Sequence, residues 1–196
     1  MDAQFVQIKK PTLLTRSNVS KTTLCFPTDQ AHNFSAETVV PKIKLNSGNE
    51  IPVIGFGTWQ AEGDKLVQAI KDGLKVGFRH IDTAFFFHNE REIAQALKES
   101  YDEGVVKRED VFITYKVWPK NMNFKRTVNV IKNALIETNS TYFDLVSIQW
   151  PLKDNSEIYR ALESALEEGL TRSIGKQEHY KINKYVRLFE FQIDFF

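Results

Sequence analysis

Three polar residues close runs that read as strands: Asp82, Lys116 and Gln149. In proteins built from parallel strands the chemistry gathers where strands finish, so these positions are the informative ones. An aspartate and a lysine at neighbouring strand ends keep each other charged and can poise a nearby titratable group. The plainer reading of the same pair is a structural ion pair. Trp59, Trp118 and Trp150 fall just past strand ends, which suits a pocket wall and suits core packing equally. The four histidines, His32, His80, His88 and His179, show no zinc-ligand spacing. His80 lies within a strand and reads as a hydrogen-bonded structural residue. No phosphate-binding G-x-x-x-x-G-K-[ST] loop occurs, and Gly55-Phe56-Gly57 is too short for a dinucleotide fingerprint.

The elements that must position these residues follow from periodicity. Lys42–Leu45 and Ile51–Ile54 flank Asn46-Ser47-Gly48-Asn49 and predict a β-hairpin. Helices are predicted at about Asp64–Val76, Glu90–Glu103, Lys125–Glu137, Ser156–Glu168 and Asn183–Phe191. Their expected inward faces carry Leu66, Ala69, Ile70, Gly73 and Leu74; then Ile93, Ala94, Leu97 and Tyr101; then Val128, Ile131, Ala134 and Leu135; then Ile158, Leu162, Ala165 and Leu166. Gly77 and Gly104 suit the stops of the first two. Strands are predicted at Phe78–Asp82, Val111–Lys116, Phe143–Gln149 and Thr171–Ile174. Strand and helix alternate at spacings of about 30 residues, which implies βαβ units and a parallel sheet covered by helices. A truncated barrel and a doubly wound open sheet both satisfy that spacing.

The chain has 196 residues, 26 basic and 25 acidic, for a net charge of +1. Neither a basic excess nor a dense basic run is present, so nucleic acid is set aside as a partner. No stretch reaches 18 consecutive apolar residues, so no membrane span is expected. The single cysteine, Cys25, excludes an internal disulfide framework and a cysteine-cluster metal site, and no metal is expected. A reducing, cytoplasmic location is the simplest expectation, with organelle import the alternative for a basic, acid-poor N-terminus. Asn18, Asn33 and Asn139 head N-x-[ST] triplets and read as chance matches. Residues 1–40 are rich in Ser, Thr, Asn and Gln with no sustained period, and are expected to be an extended or disordered arm. Phe5, Leu13, Leu14, Leu24 and Phe26 would anchor it on a partner. Residues 41–196 form the folded unit.

Longer motifs resemble one family. Gly55-Phe56-Gly57-Thr58-Trp59, Gly77-Phe78-Arg79-His80-Ile81-Asp82-Thr83-Ala84 and Asn89-Glu90 are similar to the aldo-keto reductases. So are Val105–Asp110 with Phe112–Trp118, Phe143-Asp144-Leu145, Trp150-Pro151 and the stretch from Glu168-Gly169-Leu170 to Ile174-Gly175. The resemblance spans about residues 42–190 and implies an α/β fold, the (β/α)8 barrel with a hairpin under its floor. It implies NADPH-dependent reduction of aldehydes and ketones by an Asp, Tyr, Lys and His set, in which the tyrosine is the general acid. Carried over, the aspartate is Asp82 and the lysine Lys116. The tyrosine position is Phe87 and the histidine position Gln149. Phenylalanine has no proton to give, and loss of a general acid costs about 10²–10⁴ in rate. Tyr115 adjoins Lys116 on a strand and must face the other side; His88 is the other group able to supply a proton.

The resemblance places cofactor contacts at Thr58, Trp59, Asp82, Gln177 and Glu178, and a substrate pocket at Trp59 and Trp118. Glu178 cannot donate when ionised and adds negative charge beside an anionic ligand. About five β/α units are present, so an incomplete barrel is expected, with Phe189–Phe196 as a tail that has no barrel counterpart. The functional expectation is an inactive pseudoenzyme with a structural or docking role in a larger assembly, a cytoskeletal one being the example considered. It would meet a protein partner, or a second copy, through open sheet edges and the N-terminal arm. It is expected to bind no cofactor, and NADPH if it binds any. The alternative is a working NADPH-dependent reductase.

Overall fold

The structure is a computed structural model that describes residues 40–150 and 152–176. The expected arm before Val40, the expected helix Asn183–Phe191, the tail Phe189–Phe196 and positions Gln177 and Glu178 lie outside the described residues.

Lys42–Lys44 (β1) and Glu50–Pro52 (β2) form the antiparallel hairpin, with Ile43 opposite Ile51. Five parallel strands follow: Phe56–Gly57 (β3), His80–Ala84 (β4), Phe112–Val117 (β5), Leu145–Ile148 (β6) and Ile174–Lys176 (β7). Between them run Gly63–Lys75 (α1), Glu90–Asp102 (α2), Phe124–Glu137 (α3) and Ser156–Glu167 (α4). The sheet order is β3-β4-β5-β6-β7. Each strand is laid beside its predecessor without reversal. A doubly wound sheet reverses direction at a switch point, so the order selects the barrel-type arrangement. No helix among the described residues is long and apolar enough to cross a membrane.

Alternation along the strands separates two faces. Ile81, Ile113, Tyr115, Val117, Val146 and Ile148 join one buried cluster with Leu66 and Ile70 of α1, Ile93 and Leu97 of α2, Ile131 of α3 and Leu162 of α4. The opposite parity carries the polar His80, Asp82, Thr114, Lys116 and Ser147, with the apolar Phe112 and Leu145 where β5 and β6 begin. The helical faces match expectation apart from local rotations. In α1 Val67 is buried where Ala69 is half-buried, and in α2 Ala96 and Ser100 are buried where Ala94 and Tyr101 are half-buried. In α4 Ala161 is buried and Leu166 exposed. Gly77 (φ 107°) and Gly104 (φ 70°) terminate α1 and α2 in the left-handed conformation that glycine alone adopts freely.

All four predicted parallel strands begin later than expected, at His80, Phe112, Leu145 and Ile174, and for two of them contacts show why. The Phe78 amide donates to Gly73 O and the Arg79 guanidinium to Leu74 O, so both residues are held in the end of α1 and pairing starts at His80. Thr171 makes only an isolated bridge with Phe143, and continuous pairing of β7 starts at Ile174. The two-residue β3 had no periodic signal.

The hairpin sits at the strands' N-terminal end. Leu45, with Ile51 packed against it, joins Phe112 and Leu145, the first residues of β5 and β6. Asn49 Nδ2 donates to Arg172 O (2.8 Å) and to Ser173 Oγ (3.0 Å), and Ser47 Oγ lies 2.8 Å from Ser173 Oγ. The hairpin is thereby tied to the entry of β7.

Candidate active site

Asp82 is the central residue of β4, rather than its last, and Lys116 is the penultimate residue of β5. Asp82 pairs in register with Thr114, so Lys116 is one pleat further along on the same face. Lys116 Nζ reaches Asp82 Oδ2 at 2.5 Å. The lysine is buried, and the carboxylate retains about a fifth of its exposure (21%). Ser147 pairs with Lys116, and Gln149, two residues on, extends that ladder by donating its amide to Val117 O. The three residues singled out at the strand ends therefore share one face. On it, Asp82 Oδ1 and Gln149 Oε1 are buried and accept no hydrogen bond among the described residues.

Phe87 ends a single 3-10 turn, Phe85–Phe87, that follows β4. Its ring faces Lys116 Nζ at 5.4 Å from the centroid. The position that the resemblance gives to an acid therefore presents the lysine with a π face and no hydroxyl. Tyr115 does not substitute for it. Its ring stacks on Phe143 at 4.8 Å on the helical side, and its hydroxyl donates to Glu90 Oε1 at 3.2 Å. Burial pushes the Tyr115 phenol up and the Glu90 carboxyl up. His88 takes a left-handed conformation (φ 53°), is exposed, and sets its ring edge-on to Phe85 at 5.8 Å.

His80 is the structural residue its position implied. Nδ1 lies 3.3 Å from Pro52 O, which only accepts, so Nδ1 carries the proton. Nε2 then accepts from the Thr114 hydroxyl at 2.9 Å. Burial lowers its pKa. Gly55 makes room for this ring, since a β-carbon there would stand 2.7 Å from Nδ1.

The tryptophans separate. Trp118 meets Trp150 edge-on at 6.0 Å, while Phe86 stacks on Trp118 at 5.1 Å with a 26° tilt. Trp59 is 66% exposed and makes no ring contact among the described residues, so the expected three-tryptophan wall is two tryptophans and a phenylalanine. Phe86 went unnoticed in the sequence because a run of three phenylalanines draws attention to Phe87 by its offset from Asp82 alone. Asn89 was also missed as a positioning residue. Fully buried, it accepts from Thr83 Oγ1 and donates to Thr58 O (2.8 Å) and Ala61 O (3.1 Å), which joins the loop carrying Trp59 to the turn carrying Phe87.

Of the candidate cofactor contacts, Thr58 is fully buried, and both its amide and its hydroxyl donate to Asp82 O at 3.1 Å. Thr58, Trp59 and Asp82 include no cation for a pyrophosphate, and Asp82 Oδ1 is the one buried side-chain atom among them with no hydrogen-bond partner among the described residues. These described positions do not by themselves fit a dinucleotide. Gln177 and Glu178 lie outside the described residues.

Known proteins share this arrangement. Residues 53–193 match the model of the aldo/keto reductase family. An aldose reductase of Encephalitozoon cuniculi is 35% identical over 162 residues, covering 71% of this chain and 53% of its own length. An NADH-dependent D-xylose reductase of Candida parapsilosis is 32% identical over 168 residues, covering 72% and 52%. Among solved structures, a Bombyx mori aldo-keto reductase in complex with NADP superposes with a TM-score of 0.65 at 31% identity, covering 70% of this chain and 50% of that one. This chain thus spans about half the length of these relatives. The order of the parallel strands agrees with that match, and the chain belongs to the aldo/keto reductase family.

Proposed function

We propose that this chain is a pseudoenzyme of its family, a reductase scaffold that does not turn over carbonyls and serves a structural or docking role. The observation that carries the reading is the Phe87 ring set 5.4 Å from Lys116 Nζ. Carbonyl reduction needs a proton delivered to the oxygen as hydride arrives, and a phenyl ring delivers none. Gln149, where the resemblance places an imidazole, adds an amide that does not titrate. NADPH is the cofactor the scaffold would take if it took one, and the proposal is that none is bound productively. Docking would use the sheet margins: β3 and β7 each have a single strand neighbour among the described residues, and such margins pair with a second copy or another protein.

A second reading has one observation in its favour. The Asp82–Lys116 pair is formed at 2.5 Å, and the relatives are named as reductases, so a residual NADPH-dependent reductase is the competing function. Steady-state NADPH oxidation with a simple aldehyde separates the two. The unmodified chain is expected to show no multiple turnover, and the double variant Phe87→Tyr, Gln149→His is expected to gain about 10²–10⁴ over it. Multiple turnover by the unmodified chain would overturn the pseudoenzyme reading.

A further inference from the structure

The hairpin is a sheet of its own, with β1 and β2 as its strands. Its register fixes which backbone groups of β1 are used. The Val53 amide donates to Pro41 O at 2.9 Å, and the Leu45 amide to Asn49 O at 2.7 Å. Bonded and non-bonded positions alternate along an antiparallel pair, so Ile43 is the bonded position between them, opposite Ile51. Lys42 and Lys44 are the intervening positions and turn their N–H and carbonyl groups away from β2. No strand among the described residues pairs with that outer edge, and Lys42, Ile43 and Lys44 are all exposed.

The side chains decide what can pair there. Glu50 stands opposite Lys44 in the register, yet neither Lys42 nor Lys44 closes an ion pair among the described residues. The other face of the hairpin shows Ile43 at 57% exposure and Val53 at 47%. Lysines on an edge guard it against like edges. A second copy laid antiparallel about Ile43 would set Lys42 against Lys44 twice, and like charges directly opposite repel. A strand with an acid opposite each lysine and an apolar residue between them meets both charges and covers Ile43. This chain has no such triplet, since its acid-x-acid triplets are Glu62-Gly63-Asp64 and Glu90-Arg91-Glu92. We propose that β1 is a docking edge for an extended segment of another protein with an acid–apolar–acid triplet, added antiparallel as a third strand of the hairpin sheet. Backbone bonds to Lys42 and Lys44 give the attachment, and the two lysines select the partner. This edge is separate from the β3 and β7 margins, and the inference holds whether or not the chain reduces carbonyls.

The test uses the full ¹⁵N-labelled chain and short capped peptides of threonines with Glu-Val-Glu or Lys-Val-Lys at the centre. Glu-Val-Glu is expected to shift the Lys42 and Lys44 amide signals saturably and to slow their hydrogen exchange. It is expected to bind about tenfold more tightly than Lys-Val-Lys. N-methylation of its two glutamates keeps the charges and removes the N–H groups that would donate to β1, and is expected to abolish the shifts. The double variant Lys42→Glu, Lys44→Glu alters exposed side chains alone and is expected to prefer Lys-Val-Lys. No saturable shift, equal affinity for the two peptides, or an unreversed preference in the double variant would each overturn the proposal. Undiminished binding of the N-methylated peptide would overturn it too, by leaving charge alone as the attraction. So would protection of the Lys42 and Lys44 amides that grows with the concentration of the chain alone, which would give the edge to a second copy.

Discussion

Tyr115 and Lys116 are consecutive residues of one strand and face opposite ways. Each is a buried polar side chain with a carboxylate partner, Glu90 for the tyrosine and Asp82 for the lysine. On the helical side Tyr115 is satisfied by its surroundings: the phenol ring lies flat on Phe143 and its hydroxyl is used. On the inner side the lysine meets a phenyl ring, and its partner keeps one oxygen unpaired. The chain thus owns a phenol one residue from the lysine that the chemistry would need, on the wrong face of the sheet. The two-residue period of a strand keeps it there, because a one-residue slip would also expose Ile113 and Val117.

Removing the Tyr115 side chain tests the packed face most severely. Tyr115→Ala is expected to cost about 4 kcal/mol, read from urea unfolding, by opening a cavity under α2 and α3. A loss under about 1 kcal/mol would mean that the two faces are less different than drawn. Lys116→Met tests the other face and is expected to cost about 2 kcal/mol, since it strands the Asp82 carboxylate but leaves it partly solvated. Adding Asp82→Asn should recover part of that loss. If Lys116→Met proves as costly as Tyr115→Ala, the inner face is a stabilising element rather than an altered site.

The smallest effect is one of pH. Burial raises the Glu90 carboxyl in the folded chain; the Glu137 charge adds to the rise, while the Tyr115 hydrogen bond and the His88 charge oppose it. A carboxyl raised on folding binds more protons folded than unfolded between the two values, so its contribution to stability falls as pH rises through that window. Glu90→Gln should therefore exceed the parent in stability at neutral pH. The gap should close as pH drops below the ordinary value of 4.5. A gap that widens on acidification would reverse the sign assigned to this face. Burial lowers His80, whose linkage runs the other way, so the parent and the variant must be compared at each pH.

Much of this contrast was legible in the chain itself. Helices α1 to α4 announced themselves because a 3.6-residue period persists over three turns or more in each. The side taken by Tyr115 followed from its adjacency to Lys116. What escaped depended on contacts between elements. The start of β4 at His80 is set by hydrogen bonds from Phe78 and Arg79 back to α1, which no local period encodes. The stacking of Phe86 on Trp118 and the three bonds of Asn89 join segments brought together only by the sheet. Of the altered site, residue identities at 87 and 149 carried the chemistry, while the orphaned oxygens needed coordinates.

The bonds from Asn49 to Ser173 join residues 124 positions apart. Closing so long a loop carries an entropic cost that local contacts do not share, and such contacts form late in folding. On the ribosome, the hairpin that begins the described fold emerges early and finds no clasp until β7 follows. Until β7 is made, the floor of the sheet, with Leu45, Phe112 and Leu145, stays unsealed. The nascent chain is then most open to mispairing and to chaperone capture at this end, and the last of the described strands is the one that locks the hairpin.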